Sequence, residues 1–246
     1  MLVLLPPSEG KTAPVEGAPV ALDSLVYAEE LNSLRAGLLD ALERLGRGSR
    51  KKAIEALAIS PGQVGEVAVD AALREAPAGP ASTVYSGVLY DRLGLAKLPA
   101  QARRRVLIAS ALWGMVRPGD RIPYYRFSAK ARLPKVGPIA HYWRLALREA
   151  LPDEDGSLVV DMRSGAYVAV WKPRRAELLA VRAFSHQGGK RKPVSHMAKA
   201  VRGEVARALL LAKKAPEDPE AAAAIAAAAG FEVELSPGYL DVIVSG

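Results

Sequence analysis

The sequence predicts a mixed α/β protein, and three observations carry that expectation. Half of its 246 residues are hydrophobic, enough for a sizeable core and too many for a disordered chain. Short apolar runs of strand length recur along it, and between them lie longer stretches whose apolar residues return every three to four positions. The two kinds of segment interleave too irregularly for a doubly wound sheet or a barrel, so a mixed α+β arrangement in one compact domain over residues 1–246 is expected.

Taken in order, Leu2, Val3, Leu4 and Leu5 read as a buried first strand, followed by Pro6-Pro7 and then Ser8-Glu9-Gly10-Lys11-Thr12. Residues 27–45 place Leu31, Leu34, Leu38, Leu42 and Leu45 at helical spacing and end at Gly46, which predicts an amphipathic helix. A second helix is expected over 50–58, a break at Ser60-Pro61-Gly62, and renewed helix over 63–74 through Val64, Val67, Ala71 and Leu73. Strand-like runs follow at 83–85, 106–112, 157–162, 167–171, 178–184, 231–235 and 240–244. Helices are expected at 139–150, 195–213 and 219–229, the last stopped by Gly230 as a C-terminal cap. Because the runs between 157 and 184 come consecutively, they suggest an antiparallel meander.

Composition excludes several chemistries. The chain has no cysteine, which removes disulfides, cysteine zinc sites, iron–sulfur clusters and thiol nucleophiles, and fits a reducing cytosol. Its first residues lack a basic leader, and no stretch approaches the ~18 apolar residues of a membrane span, so a soluble cytoplasmic protein with no membrane association is expected. The net charge of +8 is concentrated: residues 101–207 hold 22 Lys and Arg against 8 Asp and Glu, while the rest holds 12 against 18. A basic region of this kind predicts an anionic partner, DNA or a nucleotide-like anion.

Several motifs could receive that anion. Gly10-Lys11-Thr12 follows a strand, as in a phosphate loop, but the full pattern needs a glycine where Leu5 stands, and Pro6 and Pro7 carry no amide donor. Lys11 is then either a simpler anion contact or an exposed loop lysine. Residues 50–73 have the size of a helix–hairpin–helix, whose hairpin amides would meet a DNA phosphate without reading sequence, although two core helices with an ordinary turn fit the same residues. The stretch 110–126 sets Arg117, Arg121 and Arg126 beside Trp113, Tyr124 and Tyr125; guanidinium groups bind phosphate bidentately and aromatic faces stack bases. Further on come Lys190, Arg191 and Lys192 after a glycine turn, with Lys199 and Arg202 three apart on one face of the next helix.

For catalysis the candidates are few. Asp161, ending an apolar strand beside Arg163 and Ser164, is the best acid or base, with a salt-bridged strand-end carboxylate as the alternative. His141, His186 and His196 are too dispersed for a metal site, so no metal and no cofactor is expected.

Together these segments resemble the YaaA family, the bacterial peroxide stress proteins, over nearly the whole chain. The resemblance rests on the opening strand with Lys11-Thr12, on Val84-Tyr85-Ser86-Gly87, and on Ser110 to Gly114 with Arg117-Pro118, Asp120, Pro123-Tyr124 and Arg126. It continues through Tyr142-Trp143, Ser164 with Tyr167, and Ala198-Lys199 to Arg202-Gly203. It implies a helical body wrapped by mixed strands, sometimes called a cantaloupe fold, with a helix–hairpin–helix and a positive cleft, and association with DNA and with limiting oxidative damage. The expected function is therefore a monomeric stress-protection protein that grips DNA through Lys11, Arg117, Arg121, Arg126, Lys190, Arg191, Lys192, Lys199 and Arg202, with stacking from Tyr85 or Trp143. The rival is an enzyme cleaving a glycosidic bond of a nucleobase or nucleotide in the same cleft, with Asp161 or Tyr85 serving the chemistry. A structural or protein-interaction domain with an incidental basic surface is a third reading.

Overall fold

The first strand lies in the middle of the molecule. The computed structural model describes residues 1–187, 190–194 and 197–244, and of residues 186, 187 and 190 the backbone alone. Its strands are β1 (Leu2–Leu5), β2 (Ala78–Pro80), β3 (Val106–Ser110), β4 (Gly114–Val116), β5 (Arg121–Pro123), β6 (Arg132–Leu133), β7 (Gly137–Pro138), β8 (Leu158–Asp161), β9 (Glu177–Gln187), β10 (Lys190–Pro193), β11 (Glu232–Ser236) and β12 (Tyr239–Val244). Its α-helices are α1 (Ala28–Gly46), α2 (Arg50–Leu57), α3 (Gly65–Ala71), α4 (Ala81–Val84), α5 (Val88–Leu93), α6 (Ala100–Arg103), α7 (Ile139–Ala150), α8 (Met197–Leu211) and α9 (Pro219–Ala228).

The main sheet has the order β11-β12-β9-β8-β1-β3-β4, with β10 paired to β9. From β12 to β3 every pairing is parallel, and only β11, β10 and β4 run against their neighbours. Val3, Leu4 and Leu5 of β1, all of β3 and all of β8 are buried, as the two-sided cover of a parallel sheet requires and as their unbroken apolar runs foretell. The mixed α/β class is as expected, but the meander is not: β8 and β9 pair in parallel, because residues 165–170 form a 3-10 helix and not a strand, giving the chain the crossover that a parallel pair needs. Residues 83–85 likewise are no strand, since α4 covers Ala81–Val84.

Helix α1 buries the predicted stripe of Leu31, Leu38 and Leu42, and Arg35 with it. The Arg35 side chain is fully buried and donates to the carbonyls of Trp113, Met115 and Val26 at 3.1, 3.0 and 2.8 Å and to Asn32 Oδ1 at 3.0 Å. It satisfies backbone acceptors around β4 that no neighbouring strand could reach; burial lowers its pKa to about 10. Helix α9 opens on Asp218, whose carboxylate accepts from Ala221 N at 2.7 Å with Pro219 in the first turn.

Gly203 shows how tightly α8 lies on α5. A Cβ at this position would stand 2.3 Å from the Leu89 carbonyl oxygen, a backbone atom that cannot step aside. Gly203→Ala should lower stability by about 1–3 kcal/mol through overpacking. Gly65→Ala, where a Cβ meets nothing within 4 Å, should be neutral or slightly stabilising. Urea denaturation of the two variants checks both.

Candidate functional site

In an open α/β sheet, ligands are met beyond the carboxyl ends of the parallel strands. Here that edge is built by the segments leaving β1, β3 and β8. After β1 the chain turns through Pro6 and Pro7, and Tyr90 Oη donates to the Pro6 carbonyl at 2.7 Å. Ser86 N donates to Ser8 Oγ at 3.1 Å, Thr12 N donates to the Val84 carbonyl at 2.8 Å, and Lys11 forms a β-bridge with Tyr85. The loop that begins like a phosphate loop is thus fixed to the α4–α5 junction. Its lysine points into a cage: Nζ donates to the Ser8 carbonyl at 2.8 Å and lies 4.4 Å from the Tyr125 ring centroid and 5.8 Å from that of Tyr85.

Behind the rings, a chain of hydroxyls returns to the sheet. Tyr85 and Tyr125 hydroxyls are 2.7 Å apart, and Tyr125 Oη is 2.8 Å from Ser110 Oγ at the end of β3. Ser110 Oγ already accepts from the amides of Leu112 and Trp113, so its own proton goes to Tyr125, and the chain runs outward towards Tyr85. Burial raises the pKa values of both phenols, which stay neutral.

Helix α3 brings a carboxyl to the same place. Asp70 is 2 % exposed; Oδ1 accepts from Arg126 N at 2.8 Å, while Oδ2 has no partner. Burial, more than the neighbouring Glu66, pushes its pKa up to about 7. Burial first, then the charge of Arg126, lowers that of Lys11 to about 8, against the pull of Asp70, Glu9 and Glu66. Arg126 Nη1 donates to the Glu9 carbonyl at 3.0 Å, and Tyr124 Oη donates to Glu66 at 3.2 Å. Among the described residues, no carboxylate lies within 4.0 Å of the Lys11 or Arg126 charge.

The other candidates fall differently. Asp161 is held by Arg163 through Nε to Oδ1 at 2.8 Å and Nη2 to Oδ2 at 2.9 Å, with both side chains buried. Arg163 goes on to the carbonyls of Tyr167 and Trp171, so the pair ties the 165–170 helix to the end of β8, the salt-bridged strand-end carboxylate that the sequence offers as the alternative for Asp161. Tyr85 is buried within the hydroxyl chain. Trp143 is fully buried, its indole donates to the Ala111 carbonyl at 2.8 Å, and its ring covers Gly114, where φ is +72° and a Cβ would stand 3.0 Å from the ring. Trp143 therefore has no free face for a base.

The three arginines of 110–126 do not converge. Arg117 is exposed and its charge acts on Tyr27 and Asp120, Arg121 donates to the Ala78 carbonyl, and only Arg126 joins Lys11. Arg191 pairs with Glu234 and Asp241. Arg202 Nε donates to the Val181 carbonyl at 2.9 Å, in the sheet next to the end of β8, while Lys192 and Lys199 are exposed. Lys190 is placed by its backbone in β10, and its side chain, like residues 188, 189, 195 and 196, lies outside the described ones. Strand β9 pairs β8 up to Ala180 and β10 from Phe184, so the β9–β10 hairpin extends past the carboxyl end of β8. Among the described residues, no group of three His, Asp or Glu is placed to hold a metal ion, and no helix is long and apolar enough to cross a membrane.

Fold and site define a class: a mixed α/β protein whose parallel strands end on a tyrosine-lined cation pair. The family model of the peroxide stress protein YaaA matches residues 1–236, and the chain belongs to that family. A UPF0246 protein of Streptomyces coelicolor is 44% identical over 259 residues, spanning 99% of this chain and 98% of that protein. A UPF0246 protein of Corynebacterium efficiens is 40% identical with the same coverage, and an uncharacterised protein of Campylobacter jejuni is 28% identical over 82% of both chains.

Proposed function

We propose that this protein serves the peroxide response by holding nucleic acid along the carboxyl edge of its parallel strands. The observation that supports this reading best is the Lys11–Arg126 pair. Burial and the nearby Arg126 charge both disfavour the charge on Lys11, and among the described residues no carboxylate makes an ion pair with it, so an anion bound beside Lys11 would favour its charged form. A phosphate is such an anion, and Arg126 can take it bidentately. The exposed Lys192, Lys199 and Arg117 would extend the contact along the backbone. The α2–α3 turn, with exposed Pro61 and Gly62, is the second phosphate contact in this reading, acting as a helix–hairpin–helix, and α3 leads from it directly to Asp70.

The test is binding of a labelled duplex, a bubbled duplex and a single strand across a salt series. Affinity should fall steeply between about 50 and 200 mM salt, and the Arg126→Glu, Lys199→Glu double variant should lose at least about tenfold. Binding that ignores salt, or that survives the double variant, overturns the reading.

A further inference from the structure

We infer that Lys11 is an amine nucleophile that forms a Schiff base with the aldehyde of an abasic-site deoxyribose in nucleic acid. The inference rests on the nucleic-acid reading above and gives that site a substrate and a reaction.

A lysine that only neutralises phosphate is best left in water, where its charge is hydrated and permanent. Lys11 is built otherwise. Its loop is clamped to Tyr85 and Ser86, its Nζ is aimed by the Ser8 carbonyl at 2.8 Å, and Nζ lies over the rings of Tyr125 and Tyr85. Desolvation and the neighbouring Arg126 both work against its charge. With a pKa of about 8, about a fifth of the amine is neutral near pH 7.4, against less than about one part in a thousand for an ordinary lysine. A desolvated lysine beside a second cation is the recognised way to prepare an amine for carbonyl addition.

Arg126 makes the choice of carbonyl. An aldehyde flanked by phosphates places an anion on the guanidinium while its carbon meets Nζ, and nucleic acid carries such an aldehyde where a base has been lost. The neutral amine adds to C1′ of the open-chain sugar, the carbonyl π pair moves to oxygen, and a proton passes from nitrogen to that oxygen to give the carbinolamine. Uptake of one further proton releases the oxygen as water and leaves the protonated imine. Asp70, whose buried Oδ2 has no partner in the same cluster, is the group there able to exchange that proton near neutral pH.

The experiment is reductive trapping. The full chain is incubated with cyanoborohydride and a labelled duplex containing one abasic site, an intact duplex, or free 2-deoxyribose 5-phosphate, and adducts are mapped by mass spectrometry. The expected result is a covalent complex with the abasic duplex alone of the two DNAs, mapped to Lys11 and lost in Lys11→Arg, which retains the cation and the fold. Trapping at other lysines, or none while the intact duplex binds, overturns the nucleophile and leaves the nucleic-acid reading standing. Trapping of the sugar phosphate at Lys11 with no binding or trapping of either duplex overturns the nucleic-acid substrate while the nucleophile stands.

Discussion

Asp161→Asn should cost about 3–5 kcal/mol of stability, because it leaves the buried Arg163 guanidinium without its counter-charge. The asparagine keeps one acceptor oxygen, which can still take the Arg163 amide, but the fork that binds Nε and Nη2 is lost. Arg163 is also the anchor for the Tyr167 and Trp171 carbonyls, so the 165–170 helix should loosen together with the end of β8. Asp155→Asn is the matched control: the Asp155–Arg175 pair has equally short contacts but lies in water, and its loss should leave stability close to that of the wild type. Chemical denaturation of the two variants makes the comparison. Wild-type stability in Asp161→Asn together with loss of a measurable activity would instead give Asp161 a chemical role.

The second large effect depends on pH. Between the unfolded carboxyl value of 3.8 and about 7, the folded chain keeps a proton on Asp70 that the unfolded chain has released. Stability contributed by that proton is complete below the unfolded value and is lost as pH rises through the window. Lys11 acts in the opposite sense at the alkaline end: from about 8 to 10.5 the unfolded lysine holds a proton that the folded one lacks, so stability rises with pH there. The cluster weighs most heavily on the fold between about pH 7 and 8. Asp70→Asn, which can still accept from the Arg126 amide, should raise stability at pH 7.5 by about 2–4 kcal/mol and do little near pH 4. Melting curves of both proteins across pH give the difference directly, and a difference that does not change with pH would show that Asp70 ionises normally. A binding or catalytic group kept at the expense of stability is what a working site looks like.

Much of the fold was legible because burial leaves periodic traces. The stripe of α1, the strands at 106–110, 158–161, 232–236 and 239–244, and the helix at 219–228 follow from local pattern. The strand expected over 167–171 fails for a tertiary reason. Tyr167, Val168 and Val170 are β-formers by propensity, but their segment is tied by Arg163 to carbonyls at Tyr167 and Trp171, and that tertiary contact outweighs propensity. The direction of pairing between β8 and β9 follows from that crossover, which the apolar pattern does not carry.

At the site, Lys11, Arg126 and Tyr85 were legible as residue types in suggestive places. Asp70 was missed, although its position gives a signal: it stands three residues after the buried Val67 and three before the buried Leu73, on the apolar face of its helix. Arg35 carries the same signal between Leu31 and Leu38. A charged residue on a core stripe must be paid for by partners elsewhere, and apart from Asn32 beside Arg35 those partners are backbone groups that no sequence pattern marks. The burial of Trp143 was hidden for the converse reason, since an aromatic beside arginines reads as a stacking platform until its neighbours are known.

The central place of β1 has a consequence for how the chain comes into being. Leu2, Val3 and Leu4 leave the ribosome well before their sheet partners, Val106 and Leu107 on one side and Val159, Val160 and Asp161 on the other. The nascent chain must therefore carry this wholly apolar strand unpaired until β3 has been made, and open along one edge until β8 has been made. Loop closure over such separations is slow and exposes hydrophobic edge in the meantime. Synthesis of this protein should accordingly depend on chaperones more than its size suggests.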